Sequence, residues 1–440
     1  MFVPQAGPRR AAAGRPGTRL LMPPLLPVMS AAVLMQAGNG LLQALLPLRM
    51  QAQGLSAADI GMVASGYGVG FAAGCLIAPR VVRKLGFVRA YAGLAALMAI
   101  LALALPLADG RIGWILLRAA TGVGFAGLFT VIEGWIGSGS QDGNRGRILA
   151  VYMVTTKLAL MAGPLLIDPG GDQPFRLLIL LILLSVLPVA VARPALPALP
   201  TAVTLDLRQL FRVAPSALVG CFAVGVVTGT MMAFAPLYGL RVGLSESAAA
   251  ALLVALQGGS LLAQWPLGLL SDRRDRRIVI AAVAVVGTIL SAGLALLPAG
   301  SPAWVVWAGF ALWGSQLLCL YALCVAHACD VVPPGRIVPT VSGLLIVWAA
   351  GAMVGPVPGA LLMEAFGPSG LFVYAAAGCA GLAGFVLIRR MLREREHRPG
   401  RPPFRPLPPD SMTGAAISNP HSATDHPGSG QPGMEPPEGR

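Results

Sequence analysis

The chain has 440 residues, 56% of them hydrophobic and only 11% charged, with a mean hydropathy of +0.74. A water-soluble body of this size needs far more charge on its surface, so soluble folds are excluded and most of the surface is expected to face lipid. The net charge of +14 does not indicate nucleic acid, because the basic residues sit in clusters between apolar runs and form no continuous face.

In chain order, Arg9, Arg10, Arg15 and Arg19 precede the first apolar run, as in the basic segment of a signal peptide. The run itself is too long for a cleaved leader and contains Gln36, Asn39 and Gln43, so an uncleaved first transmembrane helix is expected. Apolar runs bounded by Gly, Pro and charge predict spans at 24–48, 58–79, 88–108, 113–137, 148–168 and 175–193. Six more follow at 214–238, 247–270, 278–298, 303–327, 339–363 and 369–390. The expected architecture is an all-α membrane protein of twelve transmembrane helices. Residues 1–23 form a cytoplasmic N-terminal segment, and 24–193 and 214–390 are two six-helix bundles. Between them, 194–213 is a cytoplasmic linker, Pro-rich from Pro194 to Pro200 and amphipathic from about Leu205 to Val213. Residues 391–440 are polar and Pro-rich, which predicts a disordered cytoplasmic tail.

Charge placement orients the spans. With the N-terminus inside, 26 of the 32 basic residues fall in inner segments and four (Arg49, Arg111, Arg176, Arg241) in outer loops. That asymmetry predicts both termini in the cytoplasm, for a multi-pass protein of the cell's inner (plasma) membrane.

The chain also repeats itself. Pro47-Leu48 followed by Gly54-Leu55-Ser56 recurs 189 residues later as Pro236-Leu237 followed by Gly243-Leu244-Ser245, and Lys84 maps to Arg273 at the same offset. Gly163-Pro164 recurs as Gly355-Pro356, an offset of 192. A duplication that preserves inside and outside requires an even number of helices per copy. Six fits the spans, and parallel repeats of six hold their substrate near the midplane between the halves.

The motifs within this frame resemble the major facilitator superfamily over about 24–390. The loop after the eighth span runs from Gly268 through Asp272, Arg273, Arg274 and Asp275 to Arg276 and Arg277. It is similar to the superfamily's G-x-x-x-D-R-x-G-R-R loop, with Asp275 in place of the second glycine. Its first-half copy keeps Gly86, Lys84 and Arg89 but has Arg83 where the acid belongs. Arg118, Gly122 and Gly124 resemble the family's fourth-helix motif. Gly163-Pro164 resembles an antiporter G-x-x-x-G-P motif with Ala159 replacing the first glycine, so direction of transport does not follow. Glu133-Gly-Trp135 and Asn144-Arg-Gly-Arg147 are similar to the YcaD-like facilitators, an uncharacterised bacterial subgroup. The resemblance implies a cavity lined by helices 1, 4, 7 and 10 and solute movement by alternating access, with protons as the expected coupling ion. The expected conformational motif is Gly268, Asp272, Arg273, Arg276 and Arg277.

Charged residues inside a span cost about 2.5–3.5 kcal/mol at the helix centre, so they face protein or water. Arg118 either snorkels to the outer surface or serves as a cavity cation. Glu133 lies near the inner end of the same span, within reach of an edge pair with Arg145 or Arg147. Lys157 sits near the midplane of the fifth span. Glu133 and Lys157 differ in depth by about 6 Å on helical rise, which predicts an ion pair that protonation of Glu133 would release. Arg118 is then left without an obvious partner, a hint of an anionic group on the substrate. Gln36, Asn39 and Gln43 share one helix face, and with Gln316 on the tenth span they are candidate substrate contacts or interhelical hydrogen bonds. Gln257 and Gln264 share a face of the eighth span, and His327 is expected as a satisfied end-of-helix histidine.

The six cysteines lie mostly in apolar runs without metal-ligand spacing, and there is no phosphate-binding Walker sequence. No cofactor, metal or enzyme activity is expected. The expected function is a secondary active transporter of a small solute, monomeric in the lipid bilayer. A non-transporting sensor or scaffold on the same fold is the competing class, separated by solute-driven pH change in liposomes.

Overall fold

A computed structural model describes residues 25–108, 110–139, 145–167, 173–191, 207–298, 300–333 and 336–394. The first repeat contains α1 (Leu26–Ala52), α2 (Ala57–Leu85), α3 (Phe87–Ala104), α4 (Gly110–Gly139), α5 (Arg145–Ala162), α6 (Gln173–Leu184) and α7 (Val186–Val191). A short α8 (Leu207–Val213) falls where the amphipathic linker segment was expected. The second repeat contains α9 (Pro215–Arg241), α10 (Glu246–Arg273), α11 (Arg276–Ala295), α12 (Ala303–Cys329), α13 (Ile337–Val354), α14 (Pro356–Ala365) and α15 (Ser369–Glu394). Among the described residues ten helices are long and apolar enough to cross a membrane, and two shorter apolar ones, Ala150–Leu166 and Pro174–Ala190, occupy the fifth and sixth predicted spans. Helices dominate because in lipid each backbone N–H and C=O must be satisfied within its own segment.

Four predicted spans are broken where they were expected to be continuous. Those at 88–108 and 148–168 tighten into 3-10 turns at Leu105–Leu107 and Gly163–Leu166, the one at 175–193 divides into α6 and α7 at Ser185, and α13 gives way to α14 at Gly355-Pro356. A proline accompanies each break (Pro106, Pro164, Pro188, Pro356), and proline lacks an N–H while its ring crowds the preceding turn. The last helix also runs to Glu394, four residues into the predicted tail. The remaining tail, the N-terminal segment and residues 194–206 of the linker lie outside the described residues.

The sequence repeat has a structural meaning. Gly54 and Gly243 both take a left-handed conformation, with φ of 78° and 91°, and end α1 and α9. In each copy the residue after the glycine donates its N–H back to the helix, Leu55 to Met50 O and Leu244 to Gly239 O. Ser56 and Ser245 then cap α2 and α10 by accepting from the N–H of Asp59 and Ala248. Each such cap contributes about 1 kcal/mol. Packing repeats as well: a β-carbon on Gly163 would lie 2.3 Å from Ala37 O, and one on Gly355 2.2 Å from Val226 O. These partners are related by the sequence offsets of 192 and 189, so both glycines permit the same backbone contact between the first and fifth helices of a repeat.

Candidate functional site

The two repeats meet closely at the end that carries the α1–α2 turn. Residues at the start of α2 lie against α13 and α14, and a β-carbon on Gly68 would come 2.9 Å from Met353 Cα. Nearer the turn, the Ala58 N–H donates to Glu364 Oε1 across the seam at 2.9 Å. On the other flank, Gly258 of α10 faces Met161 of α5. Toward the opposite end stands Glu133 on α4. Its side chain is exposed, yet it lies within electrostatic range of Cys75, Tyr152 and Tyr321. With Cys75 and Tyr152 of the first repeat and Tyr321 of the second within that range, Glu133 stands near the seam between the repeats.

Between these levels lies a cavity of about 460 Å³, lined from α1, α2, α4, α5, α9, α10, α12 and α13, with Pro356 at the start of α14. Its volume falls in the range of sites for small organic ligands. Most lining groups are apolar. The rings of Tyr67, Phe71 and Phe129 form one wall, with centroids 5.9 Å apart for Tyr67–Phe71 and 6.3 Å for Phe71–Phe129. Tyr321 and Trp348 from the second repeat, 6.1 Å apart in edge geometry, form another. The polar lining consists mainly of Gln43, Thr228, Gln257, the two tyrosines and two cations, Arg118 and Lys157; no carboxylate is included.

Arg118 is buried at 9% exposure and does have a partner: its guanidinium carbon lies 4.1 Å from the Tyr67 ring centroid. It also donates weakly to Thr121 Oγ1 at 3.5 Å. A cation held over a ring gains about 2 kcal/mol when desolvated. Lys157 donates to Ser260 Oγ on α10, and so ties the first repeat to the second at mid-depth. Helical rise from Gly110 on α4 places Arg118 about 12 Å below the closed end, and rise back from Leu166 at the end of the α5 segment places Lys157 about 14–16 Å below it.

The expected Glu133–Lys157 ion pair is not formed. Lys157 is bonded to Ser260 instead, and the α5 residue within electrostatic range of Glu133 is Tyr152, five residues before Lys157, so the two side chains leave that helix about 140° apart. The expectation that Arg118 lacks a partner is corrected too, by an aromatic ring that charge pairing does not reveal.

Of the other predicted contacts, Gln43 lines the cavity. Asn39, buried at 4%, donates to Gln36 Oε1 at 3.1 Å and accepts from Gln43 Nε2 at 3.3 Å, so the three form one ladder behind the wall. Gln316 is not a lining residue and donates to Ser315 Oγ. Gln257 lines the cavity from α10, while Gln264 is exposed. Sequence reasoning missed Tyr67 and the aromatic walls. A tyrosine set among Gly66, Gly68 and Gly70 is the one local cue to a residue held against a neighbouring helix.

The loop between α10 and α11 is tied by its own charges. Arg276 Nε contacts Asp330 Oδ2 at 2.6 Å and its Nη2 contacts Asp272 Oδ1 at 3.0 Å. Asp275 caps α11 by accepting from the Arg277 N–H, and Arg277 donates to buried His327 at 3.5 Å. Gly268 and Arg273 lie in the last turns of α10.

The sequence profile of the Major Facilitator Superfamily matches residues 28–347. The chain is 28% identical over 386 residues to the "Uncharacterized MFS-type transporter YcaD" of Shigella flexneri serotype 5b (strain 8401), covering 86% of this chain and 97% of the relative. The same protein of Escherichia coli (strain SE11) matches at the same identity and coverage. Among solved structures, the nucleoside transporter NupG superposes with a TM-score of 0.71 at 14% identity, over 83% of this chain and 99% of its own. A bacterial homologue of the human lysosomal transporter Spinster, inward-facing and occupied, gives 0.67 at 16%, over 86% and 98%. FucP in the outward conformation gives 0.55 at 16%, over 84% and 99%. These likenesses concern the fold.

Proposed function

The chain belongs to the Major Facilitator Superfamily, and from that premise we propose that it is a secondary transporter moving a small solute through the central cavity by alternating access, driven by protons. It is a multi-pass membrane protein with the fold of that family. The observation that carries the reading is a cavity of about 460 Å³ between the repeats, closed over at one end and bearing Arg118 and Lys157 without a lining carboxylate. Such a site favours a solute with an anionic group. With both termini in the cytoplasm of a cell whose inner membrane holds the protein, the closed end faces out and the conformation is inward-facing. The bundles 24–193 and 214–390 are the rocking bodies in this reading, joined by the linker 194–213, and the working unit is a monomer.

Glu133 is the proposed proton-coupling acid, because it stands near the seam within range of groups from both repeats. Gln43, Arg118 and Lys157 would contact the solute, with Gln36 and Asn39 supporting Gln43 from behind; Gln316, outside the lining, is given no contact. Gly268, Asp272, Arg273, Arg276 and Arg277 form the loop that moves between states.

The test is a proteoliposome flux assay with a lumenal pH dye, scanning metabolites for solute-driven pH change. Wild-type protein should couple the two fluxes, and Glu133→Gln should lose uphill transport while retaining exchange. Undiminished uphill transport in that variant would remove Glu133 from the mechanism. Solute movement without proton movement would remove the coupling.

A further inference from the structure

The cavity says more about the solute than its charge. Two cations line one cavity at similar depth, and neither is neutralised by a carboxylate among the described residues. The guanidinium of Arg118 carries five N–H donors and spends one on a long bond to Thr121. The neutral polar groups of the lining are few and partly engaged: Gln43 donates to Asn39, Thr228 to Val224 O and Gln257 to Met232 Sδ. A sugar-like solute would leave many hydroxyls unpaired there, at about 1–3 kcal/mol each. A small hydrated anion would leave the ring walls bare. An apolar ring-bearing body would instead meet aromatic groups contributed by both repeats, Tyr67, Phe71 and Phe129 from the first and Tyr321 and Trp348 from the second.

We propose that the solute is an organic anion with a ring-bearing apolar body, its charge held by Arg118 and Lys157 and its rings lying against the aromatic groups of both repeats. This rests on the transport reading of the same cavity. Arg118 is stacked on Tyr67 and is therefore fixed in place before the ligand arrives. Lys157 has only a neutral partner, the Ser260 hydroxyl on the other repeat. An anion offers it a better acceptor, so loading loosens one mid-depth tie between the repeats at the moment the cavity fills.

The experiment titrates the detergent-solubilised full chain by calorimetry with four probes: 2-naphthoate, neutral 2-naphthamide, cationic 2-naphthylmethylammonium, and acetate. Naphthoate should bind and the other three should bind at least tenfold more weakly. Arg118→Gln should weaken naphthoate by about 30-fold or more, as expected when one partner of a desolvated charge pair is lost, without strengthening naphthamide. Arg118→Lys keeps the charge without the planar stack and should recover part of that loss, which separates ligand contact from misfolding. Lys157→Gln should cost less, because its ammonium gives up the Ser260 bond on binding. Equal or tighter binding of the amide or the cation overturns the proposal, as do naphthoate binding unchanged in both variants and no naphthoate binding at all. The titration uses no gradient, so it stands apart from transport. Naphthoate that binds but shows no counterflow in liposomes would sink the transport reading and leave the ligand class intact.

Discussion

The third helix of each repeat is fastened to the fourth at the same end of the molecule, by opposite chemistry in the two copies. In the first repeat Phe87, at the start of α3 and 8% exposed, packs on Trp135 of α4 with ring centroids 6.0 Å apart. Shifted by the repeat offsets of 189 and 192, those positions become Arg276 and His327. There the tie is ionic: Arg276 joins Asp330 and Asp272, and Arg277 reaches His327. The counterparts of Asp272 and Asp330 are Arg83 and Ser138, so neither acid of the ionic version is present in the first repeat. The duplicated backbone requires a fastening at this corner but does not dictate its chemistry. A tilted ring contact answers to packing, whereas an exposed charge network also answers to salt.

The largest expected effect comes from breaking the aromatic fastening. Phe87→Ala should destabilise the protein by about 3 kcal/mol, the scale of a large buried ring replaced by a void. Equilibrium unfolding in detergent at low and high salt should give the same loss. A loss that shrinks with salt would show that charge contributes at this corner too.

Breaking the ionic fastening should cost less. Asp330→Ala should remove about 1–2 kcal/mol, since Arg276 is largely covered but Asp330 is about one-third exposed. High salt should erase much of that difference. A double-mutant cycle of Arg276→Met with Asp330→Ala should show coupling at low salt, and strict additivity would mean the 2.6 Å contact carries no energy of its own.

The smallest effects sharpen the comparison at the turn. Gly86 has φ 76°, while its counterpart Asp275 has φ −61° and caps α11. Gly86→Ala should therefore cost about 1–2 kcal/mol from backbone strain. Asp275→Gly should cost only a few tenths, because glycine is itself a tolerable cap. Equal costs at the two sites would mean that their backbones are more alike than these angles indicate.

Much of this was legible in the residue order. Helical spans could be read because lipid forces every backbone polar group to bond within its segment, which writes each helix as an apolar run. The glycine and serine of the repeated turn were visible because a left-handed position and a helix cap each demand particular residues. Arg118, Lys157 and Gln43 stood out because polar groups are costly in a span, and all three line the cavity.

What the order of residues left open was rotation and neighbourhood. Rise per residue gives depth, and depth alone made Glu133 and Lys157 partners. The packing of α5 against α10 instead gave Lys157 the Ser260 hydroxyl and left the pair unmade. The seating of Arg118 over Tyr67, the two groups of rings and the exchange of a ring contact for an ion network at one corner depend on which helix faces which. Hydropathy is a property of single segments and was readable from the chain. Partnership belongs to pairs of surfaces, and only packing of the helices decided it.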